Sequence, residues 1–347
     1  MTDNIRSVCI LRLSAIGDVC NAAAAVQAIQ RQYPAARITW IIGKIEARLL
    51  EGMPGVRFVV FDKQNTLGAY LDLKRALEDE TFDCLLHMQL AFRANLASLF
   101  IKARRKIGFD KQSAKELHSL FMKEQIVPAQ QPHVLDGFRQ FARAIGAEMT
   151  TPQWQMPISS QDEDWALQQF GSHQKRFVIC AAASKTERNW LPERYAALAD
   201  YAAAQGFQVY LCGGPTPSEQ QLAADIESYC QTSAVNLVGK TSLKQLLALL
   251  KHASLVLAPD TGPAHMAVTV GTPVIGLYGH SNPDRTGPYI YRQYVVEVYH
   301  QALLEQYGKT AAQLKWGTRV KGEHIMQLIT VDAVKQMFDR VVQEQQL

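Results

Sequence analysis

The chain has 347 residues, 48% hydrophobic and 20% charged, with a formal net charge of +4 at pH 7. This describes a globular protein with room for two domains of roughly 100–200 residues each. No apolar run approaches the ~18 residues of a membrane span, and the opening MTDNIRSVCILRLSAIGD lacks the order of a secretory signal, so a cytoplasmic protein is expected.

In chain order, short β-rich apolar runs alternate with helical stretches, the pattern of βαβ units and parallel sheets. In the first half SVCILRL, RITWIIG, RFVVFD and FDCLLHM read as strands, with helices over DVCNAAAAVQAIQRQYP and GAYLDLKRALEDE. The stretch TTPQWQMPISSQDED at 150–164, rich in Pro, Ser, Thr and Gln, reads as a seam. The alternation then restarts with RFVICAA, FQVYLCGG, AVNLVG, SLVLAPD and PVIGLYG as strands and PERYAALADYAAAQG among the helices. The result is an α/β chain of two Rossmann-like domains, at 1–155 and 156–330, with a last helix in 331–347. Six cysteines without C-x-x-C or histidine spacing read as reduced, mostly buried thiols rather than metal ligands.

Ligands of open α/β sheets gather beyond the carboxyl ends of the strands, so the residues after each strand are the ones to inspect. In RLSAIGDV, Gly17 permits a tight turn and Asp18 sits in the first helical turn. It is either a carboxylate complementing the helix dipole or a general base for a docked hydroxyl. In AAASKTERNWLPERY, Ser184, Lys185 and Arg188 suit a phosphate, or form a solvated loop neutralised by Glu187 and Glu193. In LCGGPTPSEQQLAADI, Gly213 and Gly214 form an ordinary turn or a close approach to a ligand, with Glu219 able to meet sugar hydroxyls. In APDTGPAHMAV, Thr261 and Gly262 precede Pro263 at a helix start, where unpaired backbone N–H groups and the dipole favour an anion. Asp260 and His265 add polar groups there.

No strand is followed by G-x-G-x-x-G, and neither a P-loop nor a G-x-S-x-G elbow occurs, which argues against NAD binding and ATPase chemistry. Charge is uneven. Residues 93–123 hold eight Lys and Arg (Arg93, Lys102, Arg104, Arg105, Lys106, Lys111, Lys115 and Lys123) against Asp110 and Glu116. This favours an anionic partner. Beside it Phe92, Leu96, Leu99 and Phe100 fall at helical spacing, either as a buried face with a solvated basic end or as a dock for an anionic amphiphile at a membrane. Nucleic acid is not expected, because the patch is short and no recognised motif surrounds it.

Taken together, ILRLSAIGDV, FDCLLHM, KIGFD, NWLPERYAAL, LCGGP with its following Glu, NLVGKTSLKQLLALL and APDTGPAHMAVTVGTPVIGLYG resemble glycosyltransferase family 9, the heptosyltransferases of lipopolysaccharide inner-core synthesis. The resemblance spans residues 8 to about 290. It implies a GT-B fold, two Rossmann-like domains facing across a cleft, with the last helix packing back on the N-terminal domain. It implies inverting transfer of heptose from ADP-heptose to a lipid A-Kdo or heptosylated acceptor, with Asp18 as general base. Arg188 then contacts the donor phosphates, and Ser184, Glu219, Asp260, Thr261, Gly262 and His265 fall on donor positions, with Lys185 beside them. Two departures stand out: Arg188 replaces a lysine, and the proline that follows the family's tryptophan is displaced to Pro192 by Leu191. The acceptor, an anionic glycolipid at the cytoplasmic face of the inner membrane, would meet Arg93, Arg104, Arg105 and Lys106. No obligatory metal or cofactor is expected besides the donor. A relative using another nucleotide sugar or another cell-surface saccharide, or a non-catalytic nucleotide-sugar binder, are the competing readings.

Overall fold

The computed structural model describes residues 5–110, 118–129 and 133–347, the side chain of Thr66 excepted. Lys111, Lys115 and Glu116 of the basic stretch lie outside the described residues. The chain divides into two compact units, Met1–Pro157 and Ile158–Leu347. The division falls inside the Pro- and Gln-rich stretch, two residues beyond the 155/156 boundary read from the sequence.

The first unit runs β1 (Ser7–Leu11), α1 (Ile16–Gln32), β2 (Arg37–Gly43), α2 (Lys44–Leu50), β3 (Val56–Phe61), α3 (Thr66–Ala76), β4 (Phe82–His87), α4 (Phe92–Ser98), β5 (Ala103–Gly108), α5 (His118–Phe121), β6 (Glu124–Gln125) and α6 (Val134–Ala144). Among the described residues its sheet has the order β3-β2-β1-β4-β5-β6 with every pair parallel. β1 is buried along its whole length, as a strand covered on both faces must be, which is why its sequence is a continuous apolar run rather than an alternation. The four alanines 22–25 of α1 are fully buried, and their small side chains let α1 lie close against α6, which brings Phe138 and Phe141 to the core. The seam is anchored to this unit: Trp154 Nε1 donates to the Cys20 carbonyl (2.8 Å), and Gln27 and Gln155 exchange two 2.9 Å bonds.

The second unit runs α7 (Ser160–Phe170), β7 (Arg176–Ile179), α8 (Pro192–Ala204), β8 (Gln208–Leu211), α9 (Pro217–Tyr229), β9 (Val235–Asn236), α10 (Leu243–His252), β10 (Leu255–Pro259), α11 (Gly262–Thr269), β11 (Val274–Tyr278), α12 (Pro283–Thr286), β12 (Val295–Glu297), α13 (Tyr299–Tyr307) and α14 (Val331–Gln345). Its sheet, again parallel, is ordered β12-β11-β10-β7-β8-β9 among the described residues. In each sheet the strand order reverses once, between β1 and β4 and between β7 and β10. Neighbouring loops diverge there and leave a crevice at the carboxyl ends.

The resemblance places the last helix against the first domain. In the second unit α14 turns its i, i+4, i+7 stripe of Val334, Phe338 and Val341 into that unit's own core. Phe338 meets Phe177 edge-on at 5.3 Å and Phe207 at 5.2 Å between ring centroids, an arrangement that buries a large aromatic and satisfies its quadrupole. Phe338→Ala is therefore expected to cost the second unit about 3–5 kcal/mol of stability. Urea denaturation followed by tryptophan fluorescence, with Trp190 buried in the second core, measures the loss, and a change below about 1 kcal/mol would contradict this packing.

The cysteines are free thiols, all buried except the partly exposed Cys230. Burial pushes the Cys212 thiol up to about 12 and the Cys230 thiol up to about 11, so neither is a thiolate at neutral pH. Among the described residues no helix is long and apolar enough to cross a membrane.

Candidate functional site

The residues of interest gather at the two switch points. In the first unit, β1 leaves the sheet at Leu11 and turns through Arg12, Leu13, Ser14 and Ala15 into α1. The Ser14–Ala15 peptide is cis. Asp18, the third residue of α1, reaches back to accept from the Ala15 N–H (3.4 Å) and forms an ion pair with Arg12. The Asp18 side chain is 31% exposed and that of Arg12 only 11%, so the carboxylate looks outward and the guanidinium lies beneath it. Arg12 also donates to the Met88 carbonyl (2.6 Å) and lies 5.4 Å from the Phe138 ring centroid. The carboxylate is thus held in place by a cation that is itself held. Both sequence readings of Asp18, helix-start carboxylate and available base, fit this geometry.

Gly43, at the end of β2, closes the far side of the turn. Its N–H donates to the Leu13 carbonyl at 2.9 Å, and a Cβ there would come within 2.5 Å of that same oxygen. Any larger residue would push the turn away.

In the second unit, Arg188 lies on a short 3-10 turn, Thr186–Arg188, between β7 and α8. Its Nη1 donates to the Asp260 carbonyl (3.2 Å) and approaches Asp260 Oδ2 (3.4 Å), while Nη2 donates to Ser184 Oγ (3.0 Å). The two side chains are 11% and 14% exposed. Arg188 Nε is buried and makes no hydrogen bond among the described residues, a donor left over in the crevice. The loop is pinned behind it, where the Ala183 N–H donates to Asn189 Oδ1 (2.7 Å) and Trp190 Nε1 to the Ile329 carbonyl (2.9 Å).

Across the switch point Thr261 adopts the extended N-cap conformation of α11, yet its hydroxyl donates to the Pro259 carbonyl (3.2 Å) and caps no helix N–H. Gly262 therefore opens the helix with backbone donors uncapped by the Thr261 side chain. His265, one turn in, is 7% exposed. The neighbouring Tyr278 phenol is pushed well above its ordinary range, by burial first and then by the charge of Asp260.

Glu219 folds back on its own loop, accepting from the Gly214 N–H (2.5 Å) and from Thr216 Oγ1 (3.0 Å). It shares the wall of a small apolar recess with Ile179, Ala182, Gly213, Leu222 and Val238. Lys185 stands apart: its side chain is 59% exposed and its Nζ lies 3.9 Å from Glu187, the solvated, neutralised arrangement of the second sequence reading.

The basic stretch is spread over more than one element. Arg104, Arg105 and Lys106 lie on β5, and the register carries Arg105 through Cys84 to Val8. That is three residues below Leu11, about 10 Å from the edge that holds Asp18. Each has a partner within its own unit: Arg104 with Asp83 (3.3 Å), Arg105 with Glu124 (2.7 Å), and Lys106 Nζ with the Ser98 carbonyl (2.9 Å). Burial, then Lys123, holds the Lys106 ammonium below its usual range. Only Arg93 of the four sits beyond β4 at the carboxyl edge. The apolar set at helical spacing is split: Ala94, Ala97 and Ser98 are buried, Phe92 and Leu99 are exposed. Of the larger residues, Leu96 is half-buried and Phe100 packs partly against the first core, 5.8 Å from the Tyr70 ring centroid.

Arg12, Gly43 and Gln89 escape the sequence reading. A charge inside the apolar run ILRLS was the one available signal for Arg12; the others are recognisable only through what they touch. Among the described residues no group of three or more His, Cys, Asp or Glu is placed to hold a metal ion.

The profile of glycosyltransferase family 9 (heptosyltransferase) matches residues 70–316. The chain is 43% identical to the lipopolysaccharide core heptosyltransferase OpsX of Haemophilus influenzae, over 96% of each. Among solved structures it is similar to a family 9 glycosyl transferase from Veillonella parvula, at a TM-score of 0.80 with 19% identity over 99% of each chain. It is also similar to E. coli heptosyltransferase WaaC with ADP, at a TM-score of 0.74 with 21% identity over 96% of this chain and 99% of that one. The α/β fold of two Rossmann-like units is that of the GT-B enzymes.

Proposed function

Since the chain belongs to glycosyltransferase family 9, the heptosyltransferases, we propose that it moves a heptose from ADP-heptose to a lipopolysaccharide core acceptor, with inversion at the anomeric carbon. The observation that carries this reading is the clamp of Arg188 on Ser184 and Asp260 beside the start of α11. A diphosphate leaving group gathers negative charge as its bond to the sugar breaks, and a fixed guanidinium with helix-start N–H groups stabilises that charge more than the ground state.

The acceptor hydroxyl gives its proton to the Asp18 carboxylate as its oxygen bonds to the anomeric carbon. The bond from that carbon to the β-phosphate oxygen breaks, and ADP leaves with the electron pair. Arg12 keeps Asp18 oriented throughout. Glu219, in the wall of the apolar recess, takes the ribose hydroxyls, and Thr261, Gly262 and His265 complete the donor set. Asp260 acts through Arg188, which it holds against the phosphates. The acceptor is an anionic glycolipid of the inner core, reached by a protein working at the cytoplasmic face of the membrane.

Arg93 is the acceptor contact best placed to test, because it lies at the same sheet edge as Asp18. Arg93→Glu should raise the acceptor KM about tenfold or more and leave ADP affinity unchanged. Arg104→Glu, at the far end of β5, should move neither. Equal effects from both substitutions would place the acceptor elsewhere.

Titration calorimetry with ADP-heptose, ADP-glucose, UDP-glucose and dTDP-rhamnose, followed by ADP release on adding a truncated lipopolysaccharide, tests the whole reading. Selective binding of ADP-heptose with acceptor-dependent ADP release is the expected result. Selective binding of another donor would change the sugar, and binding of ADP-heptose without turnover would make the protein a nucleotide-sugar binder.

A further inference from the structure

Beyond Arg12 the backbone of β1 leaves the sheet. Its last N–H donation to a sheet carbonyl is Arg12 N–H to Ile41 (3.2 Å), while its carbonyls still accept, Leu11 from Met88 N–H (3.0 Å) and Leu13 from Gly43 N–H (2.9 Å). The next two N–H groups, of Leu13 and Ser14, would be stranded at the turn that carries Asp18. Both donate instead to one side-chain atom, Gln89 Oε1, at 2.6 and 3.3 Å. A side chain from the end of β4 thus continues the ladder where the backbone stops.

We propose that Gln89 is a positioning residue for Asp18, acting through the turn between β1 and α1; the inference rests on the reading of Asp18 as the base. Three features support it. The Gln89 amide is oriented without ambiguity, because only its oxygen can accept two N–H donors. The preceding residue supplies the carbonyl that holds Arg12 Nη1 at 2.6 Å, so the end of β4 grips both the turn and the cation beneath the carboxylate. The Gln89 N–H in turn faces His87 Nδ1 at 3.5 Å. Burial first, and then His118, keep the His87 ring from charging, and in the tautomer protonated at Nε2 this nitrogen accepts.

The chemistry needs the Asp18 oxygen within hydrogen-bond reach of one hydroxyl. A shift of about 1 Å from a residue that never touches substrate costs on the order of a hundredfold in rate. Gln89 differs in this from a residue that only stabilises the fold, since its loss should act on the proton-transfer step and spare the donor loops of the second unit.

The test uses the full chain with three substitutions. Gln89→Met keeps the length and removes the acceptor, Gln89→Glu keeps an acceptor for both N–H groups, and Asp18→Asn removes the base while retaining its shape. Acceptor-dependent ADP release from ADP-heptose gives kcat, calorimetry with ADP gives nucleotide affinity, and a melting curve reports folding. Gln89→Met is expected to lower kcat on the order of tenfold to a hundredfold with ADP affinity and melting midpoint near those of the parent, and Gln89→Glu to recover most of the rate. In the Asp18→Asn background Gln89→Met should change the residual rate by less than about twofold, as residues acting through one group do. An unchanged kcat in Gln89→Met, a parallel fall in ADP affinity, or an equal loss in the Asp18→Asn background each overturns the inference while leaving Asp18 as the base. Full activity of Asp18→Asn removes the base reading, and this inference with it. Where the residual rate of Asp18→Asn falls below detection, the split between kcat and ADP affinity together with the Glu rescue decides.

Discussion

Replacing Asp18 with alanine is expected to lower heptose transfer by roughly 10²–10⁴-fold, the range for removing a positioned general base, while ADP binding in the second unit stays at its parental strength. The alanine also strips Arg12 of its ion pair, and with a side chain only 11% exposed that guanidinium cannot turn fully to solvent. A loss of folding stability therefore accompanies the loss of rate. Asp18→Asn separates the two effects. Its amide oxygen still accepts from the Ala15 N–H and keeps the helix start in shape, but it takes no proton. Steady-state ADP release in both variants, beside melting curves, is the measurement. Activity preserved in a folded Asp18→Asn protein would return Asp18 to its other reading, a carboxylate that complements the dipole of α1.

Arg188→Ala carries the second large effect, a fall in kcat on the order of 10²–10³-fold, as seen when a single fixed donor to a developing anion is deleted. The substitution does more than remove a charge. Asp260, 14% exposed, loses its cation and would stand as a half-buried carboxylate beside the place where the diphosphate gathers its own negative charge, so donor affinity should fall with kcat. Arg188→Lys should do much less damage. An ammonium keeps the charge but, as a point donor, cannot hold Ser184 and Asp260 through two separate nitrogens. Calorimetry with ADP and kinetics of ADP release distinguish the cases. An Arg188→Ala protein that binds ADP as well as the parent and turns over normally would place the leaving group away from this clamp.

The two substitutions differ in which quantity they move. In the proposed mechanism Asp18 takes the acceptor's proton, so its loss should appear in kcat alone. In the same mechanism Arg188 meets the donor before and during transfer, so its loss should appear in binding as well.

Much of this arrangement was legible in the sequence because parallel α/β architecture announces itself locally. Continuous apolar runs such as SVCIL and SLVLAP can only be strands covered on both faces, and the residues that follow them must lie at the carboxyl edge. This is why Asp18, Arg188, Thr261 and Glu219 could be placed at strand ends from spacing, while their roles came from the family resemblance. Pro192, Pro217 and Pro263 each mark the first turn of a helix, a preference that resides in the proline ring.

What the tertiary structure decided is pairing across distance. Strand order is set by which crossovers pack and not by local spacing, so the sequence could not say that β1 neighbours β4, nor that Arg105 lies level with Val8 at the far end of the sheet. The cations at 104–106 look like one patch in the chain, but on a strand they alternate faces and find Asp83, Glu124 and the Ser98 carbonyl. Gln89 and Leu13, 76 positions apart, meet only because the sheet brings their strand ends together. The stripe of α14 would fit any apolar surface, and the phenylalanines of the second core determine which one it buries against. Residue types and their local order thus determined the chemistry available at each strand end. The three-dimensional packing determined which of those groups share a site, because hydrogen bonds and ion pairs act over a few ångströms of space regardless of their separation along the chain.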